Sequence, residues 1–154
     1  MPRSREVALI EQINVAFMDV PFPGRLPEHS QDFEKFAPEL ALMSEELERW
    51  YLPKIMGHCI YQIQLGIFPL QAIEHVIFAL DPDGILNKHS SDKNEKFLHQ
   101  QRLHFLESFT KEQRIVICKW ITFISHFSQV KFYFRSFRRI NDRFCIGDGR
   151  SGRV

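Results

Sequence analysis

Thr110–Phe127 reads TKEQRIVICKWITFISHF, the most apolar helical stretch in the chain. Its opening, Thr110-Lys111-Glu112-Gln113, fits the S/T-x-x-E/Q capping box, in which a hydroxyl and an amide side chain satisfy two otherwise unpaired backbone N–H groups. Ile115, Val116, Ile117, Cys118, Trp120, Ile121, Phe123, Ile124 and Phe127 follow, spread nearly all round a helix. A helix apolar on every side belongs inside a protein. The pattern predicts an all-α fold: a compact single-domain bundle of six to seven helices around a buried helix 111–127.

Working outward, a helix from about Asn94 to Ser108 has Phe97, Leu98, Phe105 and Leu106 as its apolar side, behind the polar loop NKHSSDKN (87–94). Pro69 opens a helix over 69–80 through Leu70, Ile73, Val76, Ile77 and Leu80, and Asp81-Pro82-Asp83-Gly84 closes it. Arg49–Gln62, RWYLPKIMGHCIYQ, poses a harder question, because Pro53 stands within helical spacing. An interior Pro costs a helix roughly 3 kcal/mol, whereas at the first helical position it costs little. That contrast favours a break at Leu52, with a new helix from Pro53 to about Leu65 ended by Gly66. A short helix before it, capped by Ser44 and led by Glu45 and Glu46, carries Leu47, Trp50 and Tyr51. Nearer the start, Ser4 caps a helix over 5–19 with Val7, Leu9, Ile10, Ile13, Phe17 and Met18, and PFPGRLP (21–27) ends it. A weaker helical stretch from Asp32 carries Phe33, Phe36, Leu40 and Met43, divided by Pro38.

After the apolar helix, Val130, Tyr133, Phe137, Ile140 and Phe144 alternate steps of three and four, while Lys131, Arg135, Arg138 and Arg139 fall on the opposite side. Phe132 falls among the cations. A strand through VKFYF competes locally, but the fifteen-residue pattern favours a helix. Residues 1–144 read as one helical domain and 145–154 as a flexible basic tail.

Charge is unevenly placed. Residues 128–154 hold seven basic and two acidic side chains, a net of +5, and the preceding 127 hold 13 basic and 17 acidic, a net of −4. Cys59, Cys118 and Cys145 are an odd number without a CxxC pair. That count argues against a disulfide framework or cysteine zinc site, places Cys59 and Cys118 in the core, and suits a reducing cytoplasm. The start MPRSREVALIEQ lacks a signal-peptide core, and no apolar run of about 18 residues would span a membrane.

Chemical motifs are sparse. Gly147–Gly152 matches G-x-G-x-x-G in letters, without the strand and helix that phosphate binding needs. Asp81-Pro82-Asp83-Gly84 lacks the glycine and glutamate of a calcium loop, since Leu86 and Asp92 stand there. His58, His75, His99 and His104 show no metal-ligand spacing; Glu95 and His99, four apart, read as a surface pair. Nothing gives a specific reason to propose an enzyme, and no cofactor or metal is expected.

Three segments, VALIEQINVAF (7–17), EELERWYLP (45–53) and FLESFTKEQRIVICKWITFI (105–124), resemble in their order an uncharacterised family of small bacterial proteins, a domain of unknown function. The resemblance spans roughly residues 7–127. It implies a small helical bacterial protein and carries over no reaction and no catalytic residue.

The expectation is a cytoplasmic, non-enzymatic protein that binds another protein through Lys131, Arg135, Arg138, Arg139 and Arg143, with exposed aromatics at Trp50 and Tyr51. Two alternatives stand beside it: nucleic-acid binding through the basic helix 131–143, and a hydrolase or metal enzyme using the histidines.

Overall fold

The computed structural model describes residues 4–23, 45–84 and 92–145. They form six α-helices: α1 (Arg5–Ala16), α2 (Glu45–Gln64), α3 (Leu70–Leu80), α4 (Lys93–Glu107), α5 (Lys111–Ile124) and α6 (Phe134–Phe144). Two 3-10 segments, Pro82–Gly84 and Ser128–Tyr133, precede α4 and α6. No strand occurs among the described residues, so the fold is all-α and VKFYF is helical. The stretch from Asp32 to Met43, the Ser44 cap, most of the 87–94 loop and the tail beyond Cys145 lie outside the described residues. The chain clusters into two compact units, Met1–Val76 and Ile77–Val154, with the division falling inside α3.

In the first unit α1 packs on α2. The Ser4 hydroxyl accepts the Val7 N–H at 3.1 Å, the expected cap, and also the Gln64 side-chain amide at 3.4 Å, joining the start of α1 to the end of α2. Leu9, Ile13 and Phe17 are buried, as are Leu47, Leu52, Ile55, Met56, Cys59 and Ile60 of α2. Met18, assigned above to the same apolar side, is exposed, because α1 ends at Ala16 and the chain turns there.

Pro53 does not break the helix: α2 runs through it from Glu45 to Gln64. The expected break at Leu52 is therefore corrected, and the reason is tertiary. Pro53 is buried, flanked by buried Leu52, Ile55 and Met56. Burying an apolar side chain of this size gains roughly 1.5–3 kcal/mol, comparable with the roughly 3 kcal/mol local cost. The Lys54 ammonium donates to the Trp50 carbonyl at 3.4 Å, giving the disturbed turn an extra donor. Packing overrides propensity here.

Gly66 stops α2 as anticipated. Its φ is +84°, the left-handed region, and it forms a Schellman cap: Gly66 N–H donates to Ile63 O at 3.0 Å and Ile67 N–H to Gln62 O at 2.9 Å. Pro69 stands just before α3, its carbonyl accepting the Ile73 N–H at 3.0 Å.

In the second unit α5 begins with both halves of the capping box: Gln113 N–H donates to Thr110 Oγ1 at 3.1 Å and Thr110 N–H to Gln113 Oε1 at 3.0 Å. Val116, Ile117, Trp120, Ile121 and Ile124 are buried, with Trp120 the largest fully buried side chain. Burial is one-sided, since Lys111, Ile115, Lys119 and Thr122 remain exposed. α6 packs back on α5 through Phe137, Ile140 and Phe144.

Cys118 and Cys145 form a disulfide with Cα atoms 5.2 Å apart, well inside the range such a bridge requires. This corrects the reading that excluded one; only Cys59 is a free, buried thiol. Two cysteines 27 positions apart show no motif, and only the return of α6 along α5 brings them together. Closing a loop of that length stabilises a fold by roughly 3–4 kcal/mol in the chain-entropy account. No helix among the described residues is long and apolar enough to cross a membrane.

Gly66→Ala tests the α2 cap. A Cβ there meets no atom within 4 Å, so the cost is backbone strain alone. We expect a loss of about 1–2 kcal/mol, read as a lower midpoint in urea with an unchanged slope.

Candidate functional site

A helix C-terminus carries partial negative charge, so a carboxylate just beyond it is unfavourable unless cations come to it. Asp81 follows the last residue of α3 and its side chain is 2% exposed. Arg139 of α6 answers it with a bidentate pair, Nε to Oδ1 and Nη2 to Oδ2, both 2.8 Å. That hydrogen bonding to Asp81 raises the Arg139 pKa above its already high ordinary value, so the guanidinium is charged at every working pH. Arg102 of α4 donates to the Ala79 carbonyl at 2.7 Å, placing a second guanidinium at the same helix end.

The following 3-10 turn continues the network. Asp83 accepts from His99 Nε2 at 2.6 Å, and His99 is buried. A Cβ on Gly84 would lie 2.8 Å from Asp81 Oδ2 and 3.3 Å from Ser136 Oγ, so only glycine lets the turn sit this close to the pair. The Asp-Pro-Asp-Gly turn is thus a junction for α3, α4 and α6. His99, read above as a surface partner of Glu95, is instead part of it.

This junction decides which basic residues face outward. The sequence pattern puts Arg139 on the solvent side of helix 131–143; the structure corrects this, because its guanidinium is committed to Asp81. Arg143 is half-buried, and its carbonyl accepts from Arg114 Nη2 at 2.6 Å. Lys131, Arg135 and Arg138 are exposed as expected. Two aromatics accompany them that the sequence reading did not select: Phe132, 68% exposed, and Phe134, 62% exposed, with the Arg135 guanidinium 5.7 Å from the Phe134 ring centre. The available signal was Phe132 falling among the cations. The outer face of 131–138 is therefore a basic stripe with two solvent-facing rings.

Trp50 and Tyr51 belong to the first unit. Tyr51 is buried, which corrects its selection as an exposed contact. Trp50 is half-buried, with the Phe22 ring edge-on at 5.1 Å and Lys54 Nζ 3.7 Å from its ring centre. Trp50 and Lys54, with Asn14, Phe17 and Pro53, line an open cleft of about 160 Å³, too small for most organic ligands. Partial burial lowers the Lys54 pKa from its ordinary 10.5.

Among the described residues no group of three or more His, Cys, Asp or Glu side chains could hold a metal ion. Comparison with known proteins finds no matching family model, and no similar curated protein or solved structure.

Two measurements follow from this geometry. Arg139→Met strands Asp81 in its buried position, and breaking a buried pair in this way costs up to 3–5 kcal/mol; with Arg139 itself 39% exposed, we expect about 2–4 kcal/mol in urea melts. Desolvation lowers the His75 pKa below its ordinary 6.5, with Glu74 opposing. The unfolded chain then takes up this proton before the folded one, so stability falls as pH drops through 6.5 towards the folded value. His75→Gln should flatten that part of the pH–stability curve.

Proposed function

We propose that the chain is a non-enzymatic binding protein that docks on an acidic protein surface through the outer face of residues 131–138. One observation carries the reading: Phe132 and Phe134 are solvent-facing among Lys131, Arg135 and Arg138, on a segment whose inner apolar side is already used in packing. Aromatics and arginines dominate the energetics of protein interfaces. Cations around them steer an acidic partner and keep the free surface soluble. The other half of α6 supplies the rigidity, since Arg139, Phe137 and Ile140 fix it from within.

A second reading, single-stranded nucleic acid, is favoured by the alternation of ring and cation, which suits base stacking beside phosphate contacts. With three exposed cations it predicts a modest dependence of log affinity on log salt, a slope of about −2.

The test is affinity capture from the native host with wild-type protein and with Lys131→Glu/Arg135→Glu/Arg138→Glu. Arg139 is left in place because its loss would strand the buried Asp81 carboxylate and destabilise the junction. The triple variant should keep its helical circular dichroism and lose the captured protein. Equal capture by both proteins refutes the proposal, and anisotropy with labelled single-stranded DNA at low salt decides the second reading.

A further inference from the structure

Helix α6 ends under a double hold from α5. Arg114 donates to the Arg143 carbonyl at 2.6 Å and lies 5.0 Å from the Phe144 ring centre. One turn further along the same face of α5, Cys118 is bonded to Cys145, the cap residue of α6. Both cysteines are half-buried, within reach of a solution thiol. The covalent loop they close, 118–145, contains every residue of the basic-aromatic face. The remaining holds on α6 are independent of the sulfurs: Arg139 on Asp81, and the buried Phe137 and Ile140.

We infer that the Cys118–Cys145 bond is a redox latch on the binding face, opened by a dithiol reductant and closed by disulfide exchange. It rests on the proposed function above for its consequence, but not for its chemistry. In opening, a reductant thiolate attacks one cysteine sulfur, the Sγ–Sγ bond breaks, and the other cysteine leaves as a thiolate that takes up a proton. The second reductant thiol then displaces the first cysteine as a thiol, leaving two reduced cysteines and one oxidised dithiol. The last turn of α6 then keeps Arg114 and the buried Phe144 side chain but loses its covalent tie, and it frays while α5 stays folded. A face on a loosened helix must be ordered when it binds, so its affinity falls.

The experiment compares oxidised and dithiothreitol-reduced full-length protein by hydrogen exchange and by anisotropy with a fluorescent polyglutamate peptide. Reduction should speed exchange at residues 140–145 and leave 116–121 protected, and it should weaken peptide binding by about fivefold, the low end of coupling between linked sites. The Cys118→Ser/Cys145→Ser variant should reproduce the reduced pattern and no longer respond to reductant. Three results overturn the latch: unbonded cysteines in the air-oxidised protein, unchanged exchange at 140–145 after reduction, or loss of protection throughout α5, which would make the bond a structural staple. Should the peptide bind in neither state, the acidic-partner reading fails on its own, and the exchange data still decide the latch.

Discussion

The buried carboxylate of Asp81 is the constraint around which the second unit is arranged. It stands where a helix dipole repels it and water does not reach it. Such a group is tolerable only with a geometrically matched cation, and the bidentate fork of Arg139 provides one across 58 positions of sequence. Arg102 supplies a second positive group to the same helix end, and His99 ties the adjoining turn through Asp83. Helices α4 and α6 are thereby oriented by polar contacts as well as by the apolar core. A hydrophobic face tolerates sliding or rotation by a side chain; a two-point Arg–carboxylate pair does not.

That orientation divides the basic residues of the last helix into two kinds. One arginine is turned inward to serve the carboxylate. Lys131, Arg135 and Arg138 are left facing solvent, in company with Phe132 and Phe134. A helical projection cannot make the distinction, because Arg139 projects onto the polar side together with Lys131, Arg135 and Arg138. Its partner is invisible from local spacing.

Legibility followed the range of the interaction. The Ser4 cap, the Thr110–Gln113 box, the Gly66 stop and the Pro69 start each involve groups within a few residues, and each reads directly from the sequence. Pro53, the Asp81–Arg139 pair and the Cys118–Cys145 bond do not, since each depends on which surfaces meet after the chain has collapsed. At Pro53 the local rule was sound, but buried neighbours outweighed it. The odd cysteine count misled for a related reason: one thiol, Cys59, is a core side chain, and removing it from the tally leaves a pair. In the basic-aromatic face, charge is legible from the sequence and the rings are not, because Phe132 reads only as an imperfection in the helical pattern.

The two rings are also what favours the proposed binding role for residues 131–138 over a purely structural one. A helix needed only to cover α5 would place its aromatics inward, as it does with Phe137 and Phe144, and fill its outer side with polar groups. Phe132 and Phe134 gain little from folding at their exposure, and they add to the risk of aggregation. Their cationic neighbours offset that risk in the free protein and, in the proposed role, would draw in an acidic surface. Desolvating the rings against a partner recovers apolar area that folding left unused. The inward residues make the helix rigid enough for that gain not to be lost to ordering, so Asp81, through Arg139, contributes to a face it never touches.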